Sequence, residues 1–179
     1  MARTLKLLTL VGNPKAGSRT LHVAEEVARQ IDGLGKAQGL EIATESIDIV
    51  TLGAGLFDWD SKLVNDALQK VAEADVLVVA SPVYKAAFTG VLKLFLDRIP
   101  MEGLAGRIVI PMMVAAAPIH TLAVEVHLRP VLIELGGSCP VRGLVVMESK
   151  LSELPDIVGK WLAGAKDVLQ PLMRARAEI

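Results

Sequence analysis

Short, continuous apolar runs alternate with amphipathic stretches of helical length along the whole chain, and this alternation restricts the fold more than any other feature. Leu5 to Val11 reads as the first strand. Arg19 to about Leu34 reads as a helix, because Leu21, Ala24, Val27, Ala28 and Ile31 recur at helical spacing. The segment Gly33 to Gly39 ends it. Glu41 to Asp48 is the second strand, Thr51 to Ser61 a loop carrying Phe57 and Trp59, and Lys62 to Glu73 a short helix. Val76 to Ala80, Ile108 to Val114 and Val141 to Met147 supply three more strands. Thr89 to Arg98, Leu122 to Leu135 and Ser152 to Arg176 supply three more helices, the last with Ser152 as its expected cap and Pro155 in its first turn. Such alternation specifies an α/β fold with an open parallel sheet covered by helices on both faces, joined by right-handed crossovers. No repeat or linker divides the sequence, so residues 1–179 are expected to form a single domain.

The composition agrees. Of 179 residues, 52% are hydrophobic and only 22% charged, while aromatics make up 3%. Strands buried on both faces absorb such an aliphatic excess, and a self-association surface would absorb more. No run reaches the roughly 18 apolar residues of a membrane span; the longest, Ile108 to Ile119, contains Pro111 and Pro118. The N-terminus runs straight into a strand pattern with no cleavable signal ahead of it. Cys139 is the only cysteine, which rules out an intrachain disulfide framework and suits apolar packing. These features point to a cytoplasmic protein. Net charge is −1 with the signs mixed, without the basic stripe of a nucleic-acid binder. Arg174 and Arg176 would complement the dipole of the terminal helix.

In open α/β sheets, ligands bind beyond the carboxyl ends of the strands, near the topological switch point. After the first strand comes Gly12-Asn-Pro-Lys-Ala-Gly-Ser-Arg-Thr20. Its backbone amides lead into a helix N-terminus, where they and the helix dipole favour an anion. Lys15 and Arg19 add charge; Ser18 and Thr20 add hydroxyls. The alternative is an ordinary strand-to-helix turn capped by Ser18. Gly12 and Gly17 have the spacing of a nucleotide-triphosphate loop, but Ser18 and Arg19 follow where Lys and Ser or Thr are required. The dinucleotide pattern GxGxxG is absent from this turn, and Gly33, Gly35 and Gly39 serve helix termination.

The segment Ser81-Pro-Val-Tyr-Lys-Ala-Ala-Phe-Thr-Gly90 follows the third strand. It resembles the SPVY loop and following TG-L-K helix of NAD(P)H-dependent FMN reductases in the flavodoxin-like superfamily, closest to the branch that supplies reduced FMN to sulfonate-using two-component monooxygenases. GNPKAGSRT resembles that family's GSPR-type phosphate loop, with Asn13 where serine is usual and Lys15 where arginine is usual. Leu122-Ala-Val-Glu-Val-His-Leu-Arg-Pro-Val131 resembles its fourth helix.

The resemblance implies a flavodoxin-like five-stranded parallel sheet of order 2-1-3-4-5. It implies FMN as cofactor, with NADPH or NADH as hydride donor. Asn13, Lys15, Ser18, Arg19 and Thr20 would surround the FMN phosphate. Pro82, Val83, Tyr84 and Lys85 would line the ring system, and Ala115, Ala116 and Ala117 would approach it from the loop after strand four, where the family often has paired glycines. His120 would contact flavin or nicotinamide. Tyr84 has a second reading, as a loop aromatic packed on the core. His127 reads either as an interface residue near the flavin or as a partly exposed helix residue, and His22 as surface. No catalytic dyad is required, since the flavin carries the reactivity.

The family's fourth helix carries a one-residue widening. Pro130 independently predicts a distortion between Val126 and Pro130, because it lacks an N–H and clashes with the Val126 carbonyl. Val126 and His127 stand where some relatives have an aromatic, which leaves open whether FMN is a prosthetic group or a released product. The alternatives are a quinone, azo or metal-ion reductase with tightly bound FMN, and a flavodoxin-type electron carrier. A homodimer or homotetramer is expected, because Val91, Leu92, Leu94, Phe95 and Leu96 spread beyond the roughly 100° arc that one sheet contact needs. Leu92, Phe95 and residues near His127 are the expected contacts. The alternative is that the C-terminal helix covers the extra face within one subunit.

Overall fold

The wholly apolar runs of the sequence become the centre of the sheet. In the computed structural model, which describes residues 3–179, strands β1 (Leu5–Val11), β2 (Ile42–Asp48), β3 (Val76–Pro82), β4 (Ile108–Ala115) and β5 (Leu144–Met147) form one parallel sheet of order β2-β1-β3-β4-β5. Every residue of β3 and β4 is buried, as expected of central strands covered on both faces. β2, with its polar Thr44-Glu45-Ser46, is an exposed edge. The expected flavodoxin-like order is therefore the observed one.

Two helical layers cover the sheet. Leu5, Leu7 and Val11 of β1 face α1 (Arg19–Lys36) and α5 (Leu154–Ala177), which pack on each other. Leu8 and Leu10 face the opposite layer, made of α2 (Lys62–Glu73), α3 (Gly90–Leu96) and α4 (Arg129–Glu134). Gly33 and Gly35 do not terminate α1, which runs on to Lys36; a Cβ on Gly35 would lie only 2.4 Å from Ile42 Cδ1, so that glycine permits close helix–strand packing. No helix among the described residues is long and apolar enough to cross a membrane.

Four expectations change. Ser152 does not cap α5: it lies inside a 3-10 turn, Glu148–Glu153, and α5 starts at Leu154 without a side-chain cap. Pro155 does occupy the first turn of α5. Leu92 and Phe95 are not subunit contacts, because both are completely buried beneath α3. The second apolar contact of α3 is a pair of 3-10 turns, Ile49–Phe57, which take up most of the Thr51 to Ser61 segment expected as loop; Ile49, Leu52 and Leu56 share its core. α5 therefore does not cover α3 either, since it lies on the other face of the sheet.

The predicted distortion of the fourth helix is present. Val124–Leu128 is a π-helical turn, and the Arg129 N–H donates to the Val124 carbonyl five residues back. Pro130 then sits in the first turn of α4, where a missing N–H does no harm. Glu125 and Arg129 form an ion pair one turn apart. Arg129 also donates to the Cys139 and Val141 carbonyls, both at 2.6 Å, and Glu125 accepts the Gly143 N–H at 2.7 Å. The widened turn is thus fastened to the segment preceding β5. Cys139 packs against the adjacent core, as expected, and burial pushes its thiol up to about 11 despite the opposing pull of Arg129.

Candidate functional site

The loop after β1 is built around a close approach. A Cβ on Gly12 would stand 2.3 Å from Leu92 Cβ and 2.9 Å from Leu92 Cα, so only glycine lets α3 lie against the end of β1. Asn13 Oδ1 then accepts the Lys15 N–H at 2.9 Å, and its Nδ2 donates to Thr20 Oγ1 at 3.1 Å. Gly17 adopts φ 61°, the left-handed region, and its N–H donates to Asp48 Oδ2 at 3.0 Å. Ser18 caps α1 by accepting the Leu21 N–H at 3.3 Å.

The cap reading of Ser18 is therefore correct, and it leaves the anion reading intact. The amides of Ser18, Arg19 and Thr20 have no intrahelical acceptor, because they precede the first helical hydrogen bond. The first turn of α1 contains no acidic residue and carries Arg19 instead, the reverse of what the dipole alone favours. An external anion fits that arrangement. Asn13, Ser18 and Thr20 form the buried inner layer, while Lys15 and Arg19 form an exposed rim. Arg19 faces Glu148 at 3.4 Å.

The loop after β3 is held at its base and bent sharply at its tip. The Val83 N–H donates to the Val114 carbonyl at 2.8 Å, which ties the loop to the end of β4. Tyr84 and Ala87 exchange backbone hydrogen bonds of 2.8 and 3.1 Å around Lys85 (φ 51°) and Ala86 (φ 65°). A two-residue turn of this hand needs positive φ at both central positions. Neither residue is glycine, so each stores roughly 1 kcal/mol of strain. Such strain clusters at ligand clamps, where the surroundings enforce it. Tyr84 is 53% exposed, which argues against its reading as a core-packed aromatic.

Thr89 joins the two loops. Its hydroxyl donates to the Gly12 carbonyl at 2.6 Å and accepts the Leu92 N–H at 3.2 Å, so one side chain caps α3 and anchors the loop after β1. Its own N–H donates to the buried Ser81 hydroxyl at 3.0 Å. Thr89→Val keeps the shape but leaves the buried Gly12 carbonyl and the cap unpaired. It is expected to lower stability by about 2 kcal/mol, measured by urea unfolding. Thr89→Ser, which retains the hydroxyl, should recover most of that loss.

The third loop follows β4. Ala115 is buried, Ala116 exposed, Ala117 half-buried, and His120 half-buried at the end of a 3-10 turn, Pro118–His120. His127 and His22 are exposed. All thirteen expected site residues therefore lie in the segments that follow β1, β3 and β4 at their carboxyl ends, with Arg19 and Thr20 in the first turn of α1, Pro82 closing β3 and Ala115 closing β4.

Sequence reasoning missed several supporting residues. Asp48 ends β2, and only the placement of β2 beside β1 brings it to the loop after β1. The four-residue spacing of Glu125 and Arg129 was a readable signal. Arg98 had none: its guanidinium donates to the Asp58 and Trp59 carbonyls at 2.7 and 3.0 Å and to Asn65 Oδ1 at 3.0 Å, and it lies 5.2 Å from the centre of the Trp59 ring.

Comparison with known proteins adds a consistent set of likenesses. The sequence model of a family described as NADPH-dependent FMN reductase matches residues 5–151. An FMN reductase (NADPH) of Escherichia coli strain K12 is 30% identical over 148 residues, covering 82% of this chain and 75% of the relative. The NADH-dependent FMN reductase SfnE of Pseudomonas putida is 31% identical over 137 residues, covering 73% and 70%. The crystal structure of an NADH:FMN oxidoreductase, EMOB, in its apo form superposes with a TM-score of 0.75 at 28% identity, covering 90% of each chain.

Proposed function

Because this chain belongs to the NADPH-dependent FMN reductase family, we propose that its three loops hold FMN and set NADPH or NADH against it for hydride transfer. The observation that carries this reading is the joining, through Thr89, of an anion-suited helix N-terminus to a strained, tied hairpin. The bound flavin supplies the hydride-accepting chemistry. The protein's part is to bind, orient and exclude water.

Asn13, Lys15, Ser18, Arg19 and Thr20 would hold the phosphate. Pro82, Val83, Tyr84 and Lys85 would lie along the ring system, and the small side chains of Ala115, Ala116 and Ala117 leave room for close approach. His120 would contact the flavin or nicotinamide from the turn that follows β4. A single anion loop without a dinucleotide pattern suits FMN over FAD. Replacing Ser18 and Arg19 together by alanine should weaken FMN binding by a few kcal/mol at most, since charge-assisted hydrogen bonds each contribute about 1.5–3 kcal/mol. Riboflavin, which lacks the phosphate, should be much less affected. Fluorescence titration with both flavins checks this; equal weakening would mark the loop as purely structural.

The proposal extends to reduced flavin leaving for a partner monooxygenase in a cytoplasmic two-component system, with residues 1–179 acting as one unit. The exposure of Tyr84, Lys85 and Ala116 supports exchange of the ligand. Steady-state oxidation of NADPH or NADH with excess FMN, against the same assay with a quinone, is the test. Saturable turnover with free FMN supports the reading; turnover only with the quinone favours a reductase with tightly held FMN. We also propose a homodimer able to pair into a homotetramer. Exposed Leu122, just before the fourth helix, and exposed Val126 and Ile133 on that helix supply apolar surface for this assembly, with the half-buried Val91 and Leu94 of α3. Sedimentation at micromolar concentration checks it, and a strictly monomeric species would refute it.

A further inference from the structure

Two carboxylates stand beside the proposed phosphate loop, and neither lies within the loop itself. Asp48, at the end of β2, accepts the Gly17 N–H at 3.0 Å through Oδ2. Its Oδ1 is buried and has no hydrogen-bond partner among the described residues. Glu148, which follows β5 at the start of the 3-10 turn, lies 3.4 Å from the Arg19 guanidinium. One carboxylate therefore occupies a backbone donor of the loop, and the other faces one of its two cations. A site built for the tightest hold on a phosphate would leave both free.

We propose that Asp48 and Glu148 are affinity-setting residues that weaken the hold on the FMN phosphate, so that FMN exchanges as a substrate. This rests on the phosphate-loop reading given above. Glu148 acts by competing with the ligand for Arg19. Asp48 acts by repulsion across the loop: the Gly17 N–H is the one donor to its carboxylate, and Oδ1 has no partner among the described residues. Asp48 also fixes Gly17, and asparagine preserves that role, because its amide oxygen can accept the same N–H.

The test measures dissociation constants of FMN and riboflavin for the full chain and for Asp48→Asn, Glu148→Gln and the double variant, at low and high salt. Folding of each is checked by thermal melting. FMN is expected to bind roughly three- to tenfold tighter to each single variant and tighter still to the double. Riboflavin should be unchanged, and the gain should shrink at high salt as screening grows. A purely structural role would move both flavins together. An FMN-to-riboflavin affinity ratio that stays level or falls in either Asp48→Asn or Glu148→Gln overturns the proposal. Failure of the phosphate-loop reading looks different, because the unmodified protein would then bind the two flavins alike.

Discussion

Gly12→Ala is expected to destabilise the protein by about 3 kcal/mol, the upper part of the range for overpacking a close-packed site, and to weaken FMN binding at least tenfold. The added methyl would meet Leu92 Cβ at 2.3 Å and the α3 backbone at 2.9 Å. A flexible side chain could swing aside, but Leu92 is completely buried and the second clash is with main chain. The helix must therefore move away from β1, which stretches the 2.6 Å bond from Thr89 to the Gly12 carbonyl. The two loops that bracket the ligand would separate. Gly17 offers a contrast: it has φ 61° but open space around its Cα, so Gly17→Ala should cost only about 1 kcal/mol. Urea unfolding and flavin titration of both variants check the order. Equal stability of Gly12→Ala and the unmodified protein would remove the close approach from the explanation.

The second large effect is at the opposite end of the sheet. Asp75 is buried and accepts hydrogen bonds from Arg3 at 2.7 and 2.6 Å, from Arg176 at 3.0 Å, and from the Lys6 N–H at 2.9 Å. It fastens the first strand and the last helix to the turn between α2 and β3. Burial alone would raise its pKa, but Arg3, the Lys6 amide and Arg176 together hold the carboxyl below its ordinary value. A carboxylate depressed in the folded state contributes stability that is fully present above the unfolded value near about 4. That contribution is lost as pH falls through the folded value. Asp75→Asn should therefore cost about 3 kcal/mol at neutral pH and flatten the acid limb of the stability curve. Glu125, whose pKa is also lowered, chiefly by Arg129, keeps some slope in both proteins. Urea unfolding at neutral and acid pH measures the difference between the two curves. A difference that stays constant across the acid range would contradict a role for Asp75 ionisation.

The three-layer fold was legible because its strongest signals are local. The short apolar runs of β3 and β4 read as buried strands, and the helical spacing from Leu21 to Ile31 reads as a core-facing helix. Ile49, Leu52 and Leu56 carried a turn-like spacing too, but Gly53 and Gly55 disguised it as loop; Gly53 indeed breaks the segment at φ 56°. Leu92 and Phe95 looked like surplus apolar surface because nothing in the sequence says that the Ile49–Phe57 turns fold back over α3. The site divides in the same way. Its three loops are contiguous motifs: the anion character of the first is readable from its residues, while the roles of the other two come from the family resemblance. Asp48, Glu148 and the Thr89–Gly12 bond join segments that become neighbours only once the strand order is in place.

The most direct test of hydride transfer to a flavin held by these loops is anaerobic mixing of the protein and FMN with NADPH and, separately, with NADH. Protein-dependent loss of the visible absorbance of oxidised flavin is expected with at least one of the two nucleotides. At limiting flavin, the Ser18→Ala/Arg19→Ala protein should be slowed with FMN and little changed with riboflavin. Flavin that keeps its absorbance with both nucleotides would contradict reductase activity, and FMN reduction at the unmodified rate by the double variant would contradict its placement on the loop after β1.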